Sequence, residues 1–236
     1  MNKYLDSGNE ARIKKAYETR DPRLQMAVIT PYAQYNGASS GIAHTYTLRW
    51  PYRGSDSAEP FDIRTDTNDK FYYLWRKFVP EGLEQTERDT YGLDIPLIRY
   101  AEVLLLKAEA LNEWGSTHES EAIRCVNEVR RRAGHVELNN ATYPATKVNG
   151  QSDLRERIRN EYYWEIGGED SMYFHELRWG TWKDKKFDNN RNGLMQMWGE
   201  TTYTWYWLGD QCWSWPIPAK EMEMNSNLEQ NEGWIN

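Results

Sequence analysis

Residues 96–134 read PLIRYAEVLLLKAEALNEWGSTHESEAIRCVNEVRRRAG, and the spacing of their apolar side chains predicts two helices joined by a tight turn. The first helix is expected to begin at Pro96, which suits a first-turn position, and to stop at Gly115. The stretch 116–119 has the S-x-x-E form of a capping box, so a second helix is expected to follow it and to end at Gly134. The apolar stripe of the first helix consists of Leu97, Ala101, Leu104, Leu105, Ala108 and Leu111.

Small side chains occur where the two predicted helices would cross, at Ala101, Ala108 and Ala122. Two helices, a tight turn and small residues at the crossing are typical of a tetratricopeptide-like hairpin. No second copy with this spacing follows residue 134. Since a single hairpin cannot bury its own apolar face, we expect the pair to stack on another part of the fold.

The segment before the hairpin, residues 1–95, is rich in loops and aromatic side chains. Aromatic and β-branched residues predict short strands at 45–50 and 71–78. Between these strands, residues 54–69 have the composition of a polar loop. RDPRL at 20–24 indicates a turn, because the residue before a proline avoids the helical region.

The segment from residue 96 to residue 236 continues with further helices after the hairpin. Ser152 is expected to cap a third helix that ends at 167–168, and Asp170 a fourth. The aromatic stretch 198–215 is consistent with one or two strands. The fold class is therefore mainly α, with long irregular loops and a few short strands, and we expect residues 1–95 and 96–236 to form one compact unit.

Composition limits the class of function. The 236 residues carry a net charge of −7 without a basic stripe, which argues against a nucleic-acid ligand. The mean hydropathy is −0.91, and no run of about 18 apolar residues could span a bilayer. The N-terminus has no apolar segment of a signal peptide, which by itself indicates a cytoplasmic protein unless the chain is a fragment. Cys125 and Cys212 have no metal-binding or redox spacing and are expected to be two buried free thiols, with one disulfide between them as the alternative.

Two carboxylates are the first candidates for chemistry. Glu161 and Glu165 are four residues apart on the third helix and share one face. A carboxylate pair could hydrolyse a glycosidic bond, but both side chains of such a pair must flank the bond from opposite sides. The alternative is a structural pair neutralised by arginines, for which Arg99, residues 130–132 and Arg178 are available. We favour the structural role and predict a protein without enzymatic activity.

Metal and cofactor sites have little support in the sequence. The four histidines lack a zinc-binding spacing, and no phosphate-binding glycine motif occurs, so no cofactor is expected. Asp62, Asp66 and Asp69 could supply oxygen ligands to a calcium ion, although their spacing differs from that of an EF-hand loop.

Aromatic residues are unusually numerous, with 12 Trp, 16 Tyr and 5 Phe. Most can be assigned to packing, but aromatic side chains in the irregular first segment are harder to explain as core. Flat rings with a polar edge suit the C–H faces of sugars. The candidate ligand-binding residues are Tyr35, Trp50, Tyr52, Tyr73 and Trp75.

Several blocks resemble the SusD/RagB family. IRYAEVLLL at 98–106 and AEALNE at 108–113 resemble its signature helix, and NEVRRRAG at 127–134 resembles the end of its next helix. Further similar blocks are 154–165, WPIP at 215–218 with Glu221, 227–234, and upstream 20–24 and 76–78. The chain departs from the family pattern at 175–179, where it reads HELRW, and at Met172.

This resemblance implies a SusD-like α–α superhelix built from tetratricopeptide-like units. It also implies a surface-exposed lipoprotein of the Bacteroidetes outer membrane that serves polysaccharide utilisation. Such proteins bind an oligosaccharide or polysaccharide, or in some members a peptide, and deliver it to a SusC-like TonB-dependent transporter.

The resemblance covers the C-terminal portion of the family. The signal peptide, the lipid anchor and the helical N-terminal half of full-length members are not present in this chain, so part of the binding site is expected outside it. The alternatives that remain are a tetratricopeptide-type scaffold for a protein partner, a peptide-binding member of the family, and a glycosidase.

Overall fold

The computed structural model describes residues 15–39, 41–52, 62–66, 74–82, 94–169, 171–187 and 207–234. The chain divides into two compact units, Met1–Met172 and Tyr173–Asn236. The division into residues 1–95 and 96–236 was based on composition and not on contacts, and it stays a prediction.

Helix α1 spans Pro22–Ala27, where the sequence had indicated a turn. Asp21 caps it by accepting a hydrogen bond from the backbone N–H of Arg23 at 2.9 Å. The proline occupies the first position of the helix, where its missing N–H has no intrahelical partner to lose. Pro22 therefore starts a helix and excludes only its predecessor from the helical region.

Two small sheets follow α1. Strand β1, Val28–Ile29, pairs antiparallel with β5, Leu74–Trp75. Strand β3, Ile42–Tyr52, pairs antiparallel with β2, Gln34–Ser39, and parallel with β4, Asp62–Asp66. Both predicted strands are present; of the second, 71–78, residues 74–78 are described and contain β5. The predicted polar loop at 54–69 is wrong for β4, because backbone pairing with a distant strand does not require apolar side chains.

The first of two cores lies among these strands. Ile29, Tyr35 and Leu48 are buried there. Partly buried Ala33, Tyr46 and Leu74 pack against them.

The predicted hairpin is confirmed, with shifted ends. Helix α2 spans Tyr100–Trp114, so it begins four residues after Pro96. Arg99 is the N-cap residue and has an extended backbone (φ −112°, ψ 150°). Gly115 ends the helix as expected, at φ 136°, a conformation that L side chains rarely adopt.

The capping-box prediction at the second helix is wrong. A 3₁₀ turn, Ser116–His118, occupies this position, and helix α3 spans Glu119–Arg132 with His118 as its N-cap residue and no side-chain cap bond. Glu119 is the first residue of α3, whereas a capping box with Ser116 as its cap requires the glutamate at the third helical position. Gly134 follows α3 at φ 70°, as expected for the residue after a helix.

Helix α4, Gln151–Ile166, packs mainly against α2. Its N-cap is Gly150 rather than Ser152, and it ends before Gly167 as predicted. The second core lies among α2, α3 and α4, and its fully buried members include Leu105, Ala108, Ala122, Val126, Leu154, Ile158, Tyr162 and Ile166. The hairpin thus buries one face against α4, which is the stacking element expected from the sequence.

The second unit begins within helix α5, Ser171–Arg178, and contains α6, Trp182–Phe187, and α7, Ala219–Met224. The described part of the aromatic stretch forms a 3₁₀ turn at Asp210–Trp213, while residues 198–206 lie outside the described residues. Edge-to-face ring contacts join Trp182, Phe187, Trp207 and Trp213. None of the described helices is long and apolar enough to cross a bilayer.

Candidate functional site: a charge network and an adjoining cleft

Glu161 is the most enclosed charged residue of the structure's described part, with 0% of its surface exposed. Its Oε1 accepts a hydrogen bond from Arg23 Nη1 at 2.7 Å, and its Oε2 accepts one from Arg130 Nη1 at 2.8 Å. Each oxygen therefore has its own guanidinium, as a buried carboxylate requires.

Glu165 lies one turn further along α4 and is also buried. Its carboxylate accepts hydrogen bonds from Arg23 Nη1 at 3.2 Å, from Arg99 Nη1 at 3.0 Å, and from Arg132. Burial alone would raise the pKa of Glu165, but the hydrogen bonds from Arg99 and Arg23 and the charge of Arg132 outweigh it, and the pKa is lowered. The group therefore stays ionised.

Glu169 follows the C-terminus of α4 and is held by Arg99 and Lys77. Arg99 donates through Nε at 2.9 Å and through Nη2 at 2.7 Å, a bidentate pair that raises the pKa of its guanidinium. Lys77 contacts the Glu169 carboxylate and donates to the backbone carbonyls of Glu165 and Gly167 at 3.1 and 3.3 Å. A cation thus stabilises the last carbonyls of the helix.

Arg23 connects α1 to this network. Its Nε and Nη2 donate to the two oxygens of Asp21 at 3.0 and 2.7 Å, while Nη1 is shared by Glu161 and Glu165. Burial alone would raise the pKa of Asp21, but the hydrogen bonds from Arg23 outweigh it and keep the pKa below its ordinary value. The network therefore joins α1, α2, α3 and the segment after β5 to α4.

The prediction that arginines neutralise Glu161 and Glu165 is confirmed by these contacts. Arg99, Arg130 and Arg132 are partners, as the sequence suggested. Arg178 Nε donates to His175 Nδ1 at 3.2 Å. Sequence reasoning missed Arg23 and Lys77 as partners, although both belong to blocks, 20–24 and 76–78, that resemble the family.

A cleft of about 290 Å³ adjoins the network. Four cationic side chains and one carboxylate, Glu165, contribute to its lining. The apolar part of the lining includes Met26, Phe78 and Trp164. The cations are Arg23, Lys77, Arg99 and Arg132.

The predicted aromatic candidates do not share one environment. Tyr35 is 4% exposed and donates its hydroxyl to the Pro80 carbonyl at 2.6 Å, so its ring contacts core residues. Trp75 is 58% exposed and lies against Gly168, where an added Cβ would be 2.7 Å from its ring. Trp50 and Tyr52 lie on β3, and their side chains are outside the described part of the structure. Tyr73 also lies outside the described residues.

The calcium candidates are not brought together by any described contact. Asp62 and Asp66 are the first and last residues of β4, and Asp69 lies outside the described residues. Among the described residues, no group of three or more His, Cys, Asp or Glu side chains could hold a metal ion. A calcium site at these three positions stays a prediction.

Comparison with known proteins places this architecture in a family. The sequence matches the SusD family over residues 3–234, nearly the whole chain. The chain belongs to the SusD family. The resemblance noted in the sequence is thereby confirmed.

Two curated relatives of the SusD family show how much of the family fold is present. The chain is 28% identical over 161 residues to the starch-binding protein SusD of Bacteroides thetaiotaomicron, covering 68% of this chain and 25% of that protein. It is 32% identical over 139 residues to a SusD-like protein of Formosa agariphila, covering 58% of this chain and 24% of that protein. The chain therefore spans about a quarter of the length of these relatives.

Solved SusD-like structures share the fold. A SusD-like carbohydrate-binding protein from Bacteroides fragilis is 25% identical, with a TM-score of 0.53 over 90% of this chain and 42% of that one. Another SusD-like protein from the same species is 22% identical, with a TM-score of 0.61 over 93% of this chain and 40% of that one. The mainly α fold expected from the sequence is confirmed.

Proposed function

We propose that this protein binds a glycan without chemical conversion at the bacterial cell surface and delivers it to a SusC-like TonB-dependent transporter. Membership of the SusD family supports binding, and one matched relative is a starch-binding protein. A matched structure of the same fold is a carbohydrate-binding protein. The outer membrane as location and a lipid anchor belong to the same proposal.

The complete burial of Glu161 is the main support for binding without catalysis. Glycoside hydrolysis needs one carboxyl group with a raised pKa and access of both groups to the sugar. Glu161 has no exposed surface and Glu165 is buried with a lowered pKa. Both are neutralised by guanidinium groups, so this pair supports folding and not proton transfer.

The proposed glycan platform is the aromatic surface that includes Trp75, with Trp50, Tyr52 and Tyr73 as further candidates. Trp75 exposes more than half of its surface while Gly168 leaves room for its ring to lie close to the backbone. An exposed ring held in place costs little ordering when a sugar stacks on it. Tyr35 supports this surface from the core.

The test is a calorimetric titration of the chain with a panel of neutral oligosaccharides. Stacking on one ring contributes roughly 0.5–1.5 kcal/mol, so Trp75→Ala should weaken binding about 3- to 10-fold. Trp114→Ala is the matched control, because Trp114 is also exposed but stacks on His118 and is remote in the fold from β5. Equal weakening in both variants, or no binding to the panel, would contradict the proposal.

The transporter partnership needs its own experiment. A tagged chain co-expressed with a SusC-like transporter should retain that transporter through detergent purification, and an unrelated outer-membrane porin should be washed away. Recovery of both membrane proteins, or of neither, would speak against delivery to a specific transporter.

A protein-interaction scaffold is the second candidate, and one observation favours it. Helix α2 exposes Tyr100, Val103, Leu106 and Trp114 on the side away from its buried residues. A helix that is apolar on opposite sides is usually covered on both. The absence of glycan binding together with tight capture of a soluble protein partner would favour this alternative over the first.

A further inference from the structure

We propose that the cation-lined cleft beside α4 binds the carboxylate of an acidic sugar, of the hexuronate class. This inference deepens the proposed glycan binding and rests on it. The ligand group assigned to the cleft is a carboxylate, which uncharged aromatic side chains could not distinguish from a neutral substituent.

The charge of the network is the first argument. Its five cationic side chains face four carboxylates, which leaves one positive charge without a counterpart inside the network. Because the cleft is partly closed by protein, a cation on its wall attracts an anionic ligand more strongly than a cation on an open surface does. The cations are Arg23, Lys77, Arg99, Arg130 and Arg132, and the carboxylates are Asp21, Glu161, Glu165 and Glu169.

Arg132 is the cation best able to accept a ligand. Its side chain is 59% exposed, whereas Arg23 and Arg130 are buried. Among the described residues Glu165 is its ion-pair partner, reached through Nη2 alone. A guanidinium presents five donors in a planar fork that matches a carboxylate, so Nε and Nη1 of Arg132 remain suited to a second anion.

The apolar wall suits a sugar ring. Trp164 is exposed, and its ring is positioned by the Arg130 guanidinium at 5.9 Å and by an edge-to-face contact with His135. Phe78 lies on the same cleft. A ring fixed in this way can stack against the C–H face of a sugar whose carboxylate reaches Arg132.

Size and charge narrow the ligand further. A cavity of about 290 Å³ lies at the lower end of small-molecule pockets, which span roughly 300–1,000 Å³. It therefore suits one sugar residue, such as the end or a branch of a glycan. Glu165 on the wall disfavours a dianion, so a monocarboxylate fits better than a phosphate.

The experiment is a titration of the chain with D-glucuronate and with D-glucose at low ionic strength, followed by calorimetry and by Trp fluorescence. Glucuronate should bind at least about 10-fold more tightly than glucose, since a charge-assisted bidentate pair is roughly twice as strong as neutral hydrogen bonds. Arg132→Gln should remove this preference. Its exposed side chain makes the variant compatible with folding, which circular dichroism would verify.

Arg131→Gln is the matched control. Arg131 is the neighbouring residue, is 64% exposed and pairs with Glu137, but it does not line the cleft. Both variants lose one positive charge, so equal weakening of glucuronate binding would mean non-specific attraction and overturn the proposal. Equal affinity for glucose, or full competition by an equal concentration of inorganic sulfate, would overturn it as well.

The two proposals fail in different ways. If neutral oligosaccharides bind in a Trp75-dependent manner while glucuronate does not bind, only the acidic-sugar site is wrong. If no sugar of either kind binds, the glycan-binding function itself is wrong.

Discussion

Glu161 shows why one residue can be indispensable to the fold and useless for catalysis. Its carboxylate is removed from water, and two guanidinium groups replace the lost hydration. Such a pair adds little net stability compared with an apolar core, but removing one partner leaves charges buried without compensation. The cost of a substitution here should therefore far exceed the cost at an exposed ion pair.

Glu161→Gln is expected to lower the free energy of unfolding by about 3 kcal/mol or more, because Arg130 and Arg23 then lack a full counter-charge. Urea denaturation followed by circular dichroism measures the change. Glu137→Gln, which removes an exposed partner of Arg131, should leave the midpoint nearly unchanged. Similar losses in both variants would contradict the role assigned to burial.

Glu165 makes stability depend on pH. Its pKa is lowered in the folded protein relative to the ordinary value of 4.5, so the folded state binds fewer protons than the unfolded chain between the two values. The stabilisation is complete above pH 4.5 and is lost as the pH falls through the lowered folded-state pKa. Urea midpoints between pH 6 and pH 3 should therefore fall, and Glu165→Gln should flatten part of that fall. Glu156→Gln, on the exposed side of α4, should not.

At the scale of the element, α2 differs from the amphipathic helix that the sequence suggested. The predicted stripe of Leu104, Leu105, Ala108 and Leu111 is buried, as expected. Leu97, however, is largely exposed because it precedes the first turn. Arg99 has an extended backbone just before α2 and bonds Glu165 and Glu169. The residue with these distant ion pairs is thus the one after which the helix begins, four residues later than predicted.

Neighbouring leucines of α2 should respond very differently to truncation. Leu105→Ala removes a fully buried side chain and should cost about 2–5 kcal/mol, whereas Leu106→Ala, on the exposed side, should cost less than about 1 kcal/mol. Thermal and urea unfolding of the two variants would measure this difference. A comparable cost for Leu106→Ala would show that its face is covered in solution, as the scaffold alternative requires.

At the scale of the whole molecule, each compact unit contains one cysteine, and both thiols are free, as predicted, although the predicted burial is confirmed only for Cys125. Cys125 is buried in α3, and burial raises the pKa of its thiol. Cys212 is only half-buried. The two thiols therefore report separately on the two units.

In the native protein, a thiol reagent should label Cys212 at least about 100-fold faster than Cys125, because labelling of Cys125 must await opening of the first unit. Mass spectrometry of timed samples would assign the sites, with Cys125→Ala and Cys212→Ser as references. Rapid labelling of Cys125 without denaturant would contradict its place in the core.

The hairpin, the helix after it and the family could all be predicted from the sequence. These features depend on local patterns: apolar residues three and four apart, glycine after the last turn, and contiguous blocks of similarity. The same patterns placed Glu161 and Glu165 on one helix face and favoured arginine partners for them. The shared face could be predicted because the two glutamates are four residues apart, whereas the arginine partners were expected only because the chain has many arginines.

Three features depend on contacts between distant segments: which arginines bind the two glutamates, where α2 begins, and the pairing of β4 with β3. Arg23 and Glu161 are 138 residues apart, and no local pattern encodes their contact. The cleft likewise takes its wall from five separate segments, so its excess of cations is not visible in a chain whose net charge is −7. Local propensity decides which residues form helices and strands. Which charged side chains become buried and paired depends on how these elements pack against one another.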